Sequence, residues 1–193
     1  IHNPISSDLD VLRRSIFSNL LIYLKKNQDR GYQDTSLFEV GPIFYGKNPG
    51  EQQTIVGGLR SGKFKKKNWS EKTRPVDVFD VKADVIKTLS EYGIQENNMY
   101  VTNKSKSSYH PGRSGSFYLN SEKGHPLAYF GEIHPNITSK LDFKEKNIYG
   151  FEIFLDKIPQ PVDKLRFLRD NFKTSEFQKS ERDFAFVIDK DYQ

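Results

Sequence analysis

The stretch GGLRSGKF, Gly57 to Phe64, sets two glycines and a lysine at the spacing of a phosphate-binding loop: glycine, four residues, glycine, lysine, then serine or threonine. In such a loop, backbone N–H groups at a helix start cradle phosphate oxygens, the lysine meets their charge, and the hydroxyl holds magnesium. Phe64 stands where the hydroxyl belongs. The next residues, FKKKNWSEKTRP, have no helical apolar period and soon reach Pro75, so no helix start is expected behind Lys63. The expectation is a strand end, Thr54 to Leu59, running into a flexible basic loop.

Other residues with chemical capacity lack a constellation. The histidines, His2, His110, His125 and His134, are not spaced like the paired ligands of a helix-borne zinc site. His110 and His134 each precede a proline, in YHPGRSG and EIHP, and are expected in tight turns with the ring capping or packing locally. The absence of cysteine excludes disulfides, thiolate metal sites and cysteine nucleophiles. GRSG, Gly112 to Gly115, lacks one residue of the serine nucleophile elbow. Glu39 and Glu132 lie in strand-like segments and are expected in surface or edge ion pairs.

The net charge of +5 is concentrated in Lys63, Lys65, Lys66 and Lys67, flanked by Arg60, Lys72 and Arg74. Such a cluster attracts polyanions. Lys65, Lys66 and Lys67 are the candidate nucleic-acid contacts, with Trp69 as a stacking surface in the reading of an independent RNA-binding module. The plainer reading is a solvated loop that guards a strand edge.

The elements that must position these residues follow from periodicity. Leu9, Leu12, Ile16, Leu20 and Leu24 predict an amphipathic helix that starts at a Ser7 or Asp8 cap and ends near Gly31. Leu37 to Phe44 reads as a strand bent or bulged at Gly41-Pro42, and Thr54 to Leu59 as its hairpin partner. A second helix is expected from about Asp80 to Tyr92, followed by strands near Met99–Val101, Ser116–Leu119, Leu127–Ile133 and Ile148–Leu155. The last, IYGFEIFL, is apolar enough for an interior strand. Hairpin-linked strands without a strand-helix-strand series give an α+β fold with a mainly antiparallel sheet.

The apolar fraction of 35%, with 13% aromatic residues, supports a sizeable core, and no apolar run approaches the roughly 20 residues of a membrane-spanning helix. A chain that begins at Ile1 without a secretory signal reads as a cytoplasmic fragment with no membrane partner. Residues 1–157 form the main module, 158–178 a linker with Pro159 and Pro161, and 179–193 the first strand, RDFAFVID, of a truncated domain.

Six stretches in order carry a family resemblance: NPISSDLDVLRRSIFSNLL, LFEVGPIFYG, FDVKADV, YHPGRSG, AYFGEIHP and RDFAFVID. Together they resemble the C-terminal part of the bacterial phenylalanyl-tRNA synthetase β subunit family, over essentially the whole chain. The resemblance implies a class II aminoacyl-tRNA synthetase-like sheet flanked by helices, without catalysis of its own. It also implies assembly with a catalytic α subunit as an α2β2 heterotetramer that charges tRNA(Phe) using ATP and Mg2+, with no cofactor held by this fragment. Residues 179–193 would then open a ferredoxin-like anticodon-binding domain. Catalytic members of the class grip ATP with an arginine after the LFEVGPIFYG strand and another after a late glycine-rich strand. Here Phe44, Tyr45 and Gly46 hold the first place, and IYGFEIFLDKIP holds the second, without arginine. Without guanidinium groups the charge of a transferring phosphoryl centre has no partner. Side chains such as Tyr45 are expected to block the would-be ATP face.

Overall fold

The computed structural model describes residues 10–65, 69, 70, 72–160 and 182–188. Six strands form one sheet: β1 (Thr35–Phe44), β2 (Gln52–Ser61), β3 (Met99–Thr102), β4 (Tyr109–Leu119), β5 (Ala128–Ile133) and β6 (Ile148–Phe154). Their order is β1-β2-β6-β5-β4-β3, and every pairing is antiparallel. Among the described residues three α-helices accompany them: α1 (Phe17–Asp29), α2 (Val78–Glu91) and the short α3 (Pro135–Lys140). The α+β expectation therefore holds.

The first helix starts later than its apolar spacing predicts. Ser7 and Asp8 lie outside the described residues, and Asp10 to Ile16 are not helical. Arg13 gives the reason. Its carbonyl accepts the Phe44 N–H at 2.9 Å, its Nε donates to the Pro42 carbonyl at 2.9 Å, and its guanidinium pairs with Glu39. This segment is thus bound to the edge of β1, and tertiary hydrogen bonds outweigh a weak local propensity. The Ser15 hydroxyl then accepts the Phe17 N–H, and the helix begins.

Nor does β1 bulge at Gly41-Pro42. Its register with β2 is unbroken from Thr35↔Ser61 to Phe44↔Gln52. Proline is tolerated because β1 is an edge strand, where one row of N–H groups has no ladder partner to lose. The irregularity falls instead in β4, between Tyr109 and Ser114, so YHPGRSG belongs to a strand and not to a separate turn. Residues 182–188 are exposed and form no strand, although Phe184 and Phe186 stack on each other.

α2 is well specified. Asp77 accepts the N–H groups of Phe79 and Asp80, while Asp80 accepts the Asp77 N–H, a reciprocal cap. Val81, Val85 and Leu89, four apart and fully buried, then face the sheet.

Two cores result, one on each face of the sheet. Ile16 and, on α1, Phe17, Leu20 and Leu24 pack against Ile55, Leu59, Ile148 and Phe154. α2 packs Val81, Val85 and Leu89 against Phe117, Phe130, Phe151 and Ile153. All seven residues of β6 are buried, as an interior strand covered on both faces requires.

Candidate functional site

Gly57 to Ser61 are strand residues, paired with β1 and, across β2, with β6. The chain leaves the sheet at Gly62, whose φ of +79° is a left-handed turn that suits glycine. The Lys63 N–H, the donor a phosphate would need, is bonded to Asp34 Oδ1 at 2.8 Å, and Lys63 pairs with Pro75 as an isolated bridge. Phe64 presents its ring to two guanidinium groups, Arg74 at 4.5 Å and Arg60 at 5.8 Å from the ring centroid. No helix starts behind Lys63 among the described residues until α2, whose first N–H groups are capped by Asp77. The pattern match is therefore a strand end and a turn, without a cradle.

Around that turn the arginines are held by carboxylates. Arg60 donates to both oxygens of Asp84, at 2.6 and 2.8 Å, and Arg74 to both of Asp80, at 2.6 and 2.8 Å. The hydrogen bonds from Arg74 hold the Asp80 carboxyl below its ordinary range, against an opposing effect of burial. Lys63, Lys65 and Lys72 are exposed, and Trp69 is 99% exposed. Of the three candidate nucleic-acid contacts, Lys65 stands on this loop, where its carbonyl accepts the Thr73 hydroxyl at 2.7 Å. Lys66 and Lys67 lie outside the described residues.

The remaining candidates are dispersed. Glu39 on β1 pairs with Arg13, and Glu132 on β5 pairs with Arg113 at 2.8 Å, so the two do not meet. His110 and His134 use their rings locally, as expected: Nδ1 of each accepts a backbone N–H two residues on, from Gly112 at 3.0 Å and Asn136 at 3.1 Å. Among the described residues no group of three or more His, Cys, Asp or Glu could hold a metal ion. Nor is any described helix long and apolar enough to cross a membrane.

Two features were not foreseen from the sequence. On the α1 face of β6, Glu152 is 2% exposed and accepts Lys106 Nζ at 2.9 Å. That ammonium also lies over the rings of Tyr129, at 4.9 Å, and Phe154, at 4.6 Å. Beside it a hollow of about 470 Å³ is lined by Asn103, Ser105, Ser107, Tyr109 and His134. Burial, with the neighbouring Glu152 and Tyr129, pushes the Tyr109 hydroxyl well above its usual range. The available signal was a glutamate in the middle of the apolar run IYGFEIFL. The second feature is a groove of about 520 Å³ on the α2 face, bounded by Phe38, Val40, Val56, Phe151 and Tyr92. Phe38 and Val40 are 77% and 54% exposed.

The centre of the sheet, by contrast, is filled. A Cβ built on Gly57 would collide with Ile16 Cγ2 on one face, and one on Gly58 would lie 2.5 Å from Phe151 Cε1 on the other. Tyr45 takes no part in this: it is exposed in the β1–β2 connection.

Comparison with known proteins identifies the lineage. Phenylalanine–tRNA ligase β subunits from Paramagnetospirillum magneticum and Rhodospirillum rubrum are 41% and 43% identical over 187 residues, 97% of this chain and 23% of theirs. The Bartonella henselae counterpart is 41% identical over 196 residues, covering 97% of this chain and 24% of its own. The chain thus spans about a quarter of the length of these relatives. Among solved structures, a pyrrolysyl-tRNA synthetase from Desulfitobacterium hafniense overlaps 76% of this chain and 48% of its own at 13% identity, with a TM-score of 0.49. The family described as the phenylalanyl-tRNA synthetase beta chain CLM domain matches residues 1–155, and the chain belongs to that family.

Proposed function

We propose that this chain is the non-catalytic, class II-like scaffold module of a phenylalanine–tRNA ligase β subunit, working in the cytoplasm. It assembles with the catalytic α subunit into an α2β2 enzyme that charges tRNA(Phe) at the expense of ATP and Mg2+. The observation that weighs most is the filled sheet centre. Ile16 presses on Gly57 from one face and Phe151 covers Gly58 from the other, and the Arg60 guanidinium that borders the adjoining apolar groove is held by Asp84. Phe44, Tyr45 and Gly46 at the end of β1, and the 3-10 turn Leu155–Lys157 after β6, add no guanidinium that could face a phosphoryl group. No ATP, Mg2+ or other cofactor is held by this module in the proposed reading.

An assembly role is supported by the groove with Phe38 and Val40. Exposed apolar surface beside an edge strand is costly in an isolated chain and characteristic of partner surfaces. Lys65, with Lys66 and Lys67 beside it in sequence, is assigned to tRNA phosphates, an interaction that weakens steeply with salt.

The test is reconstitution. The β chain mixed with α subunit is expected to co-elute in gel filtration and to support phenylalanine-dependent pyrophosphate exchange, whereas this chain alone exchanges nothing and gives no heat with ATP and Mg2+. Absence of co-elution would sink the scaffold reading. Salt-sensitive RNA binding by this chain alone, lost in the Lys65→Ala, Lys66→Ala, Lys67→Ala variant, would favour the rival reading of an independent RNA-binding module. Trp69, almost fully exposed beside that loop, is the observation behind the rival.

A further inference from the structure

Lys106 occupies a position built for a cation. Its ammonium meets a carboxylate on a central strand and two aromatic faces within 5 Å of their centroids, the arrangement by which proteins recognise ammonium groups. Glu152, Tyr129 and Phe154 are all strand residues of β5 and β6, so this part is rigid. Lys106 itself comes from the loop between β3 and β4, whose backbone is held by hydrogen bonds at Lys104, Lys106 and Ser108, while its side chain is 37% exposed. A buried ion pair is a poor device for stability alone, because desolvation offsets much of the attraction. Beside it lies the hollow of about 470 Å³, lined by Lys106 itself and by Asn103, Ser105, Ser107 and His134, of which the Ser105 hydroxyl is bonded to Ser114 and His134 Nδ1 to the Asn136 N–H.

We propose that this hollow binds a small molecule bearing a primary ammonium group. Lys106 lines the hollow and stands between it and Glu152, Tyr129 and Phe154. These three form the ammonium subsite that opens when Lys106 is displaced, the polar loop residues meet the rest of the molecule, and Lys106 is an internal competitor that fills the subsite when no ligand is bound. No bond is made or broken. Binding exchanges one ammonium for another and releases the β3–β4 loop. The inference rests on the α1 face of β5 and β6 and is independent of the scaffold reading.

The experiment uses n-butylammonium as probe and 1-butanol as its uncharged counterpart, titrated against the 193-residue chain by saturation-transfer NMR. Lys106→Ala is expected to bind n-butylammonium about tenfold more tightly than the unaltered chain, since the competitor is gone. Adding Glu152→Gln should abolish binding, and butanol should bind neither protein. Equal affinity with and without Lys106, binding that survives Glu152→Gln, or no binding by Lys106→Ala would each overturn the proposal. Should Lys106→Ala fail to fold, the unaltered chain labelled with 15N-lysine gives the answer. The Lys106 Nζ signal must shift saturably with n-butylammonium, and an unmoved signal refutes displacement.

Discussion

The two faces of the sheet are covered in opposite halves. α1 lies over β1 and β2, whereas α2 lies over β5 and β6. Each helix therefore leaves the other half of its own face to be finished by something else. On the α1 face, beyond the buried Tyr109, Ile133 and Phe143, that half holds a polar hollow at the β3–β4 loop, with a buried glutamate answered by a lysine. On the α2 face it is apolar, the groove with Phe38 and Val40 at the edge of the sheet. The difference teaches that one diagonal plan yields two unlike recesses, and that side-chain chemistry rather than topology sets what each can receive.

The comparison breaks first at the cores. Leu24 and Leu89 are both fully buried, one under each helix. Leu24→Ala and Leu89→Ala should each destabilise the chain by about 2–5 kcal/mol. Because they sit in separate clusters, the double variant should lose the sum to within about 0.5 kcal/mol in urea unfolding. Marked non-additivity would mean that the sheet transmits packing between faces.

A smaller effect tests the filled centre. Gly57→Ala should cost about 1–3 kcal/mol by overpacking against Ile16, and Ile16→Val in that background should recover part of the loss. No recovery would show that the strain lies in the backbone instead.

Next comes the start of α2. The depressed Asp80 carboxyl contributes stability that is fully present above the ordinary aspartate value and disappears as pH falls through its lowered one. Asp80→Asn should therefore cost about 1 kcal/mol at neutral pH and progressively less in acid. A constant difference across that range in thermal unfolding would contradict this.

The smallest effect on stability belongs to the groove. Phe38→Glu and Val40→Thr should change the unfolding free energy by less than about 0.5 kcal/mol, since both side chains are largely in solvent. Their effect should appear in co-elution with α subunit, and a variant that assembles normally would detach the groove from assembly.

Much of this was legible in the chain. α2 could be read because a reciprocal cap, a period of four and a following glycine agree. The β1–β2 hairpin and the interior strand β6 were equally plain, since pattern and burial coincide there. The start of α1 and the straightness of β1 were not legible, for a shared reason. Arg13 reaches an edge strand about thirty residues later, the pairing of β1 with β2 runs unbroken past Pro42, and no local pattern records such contacts. In the candidate site, the turn after β2 and the absence of a helix behind Lys63 followed from Phe64 and Pro75. The pairing of Lys106 with Glu152 did not, because it joins a loop to a strand 46 residues away.

Arg13 also closes part of the sheet's outer edge. Its bonds to Pro42, Glu39 and Phe44 attach the approach to α1 to the rim of the sheet. The long outer margin of β1 is in this way sewn at its Phe44 end by the chain itself, so among the described residues a foreign strand seeking to extend the sheet meets an occupied margin there.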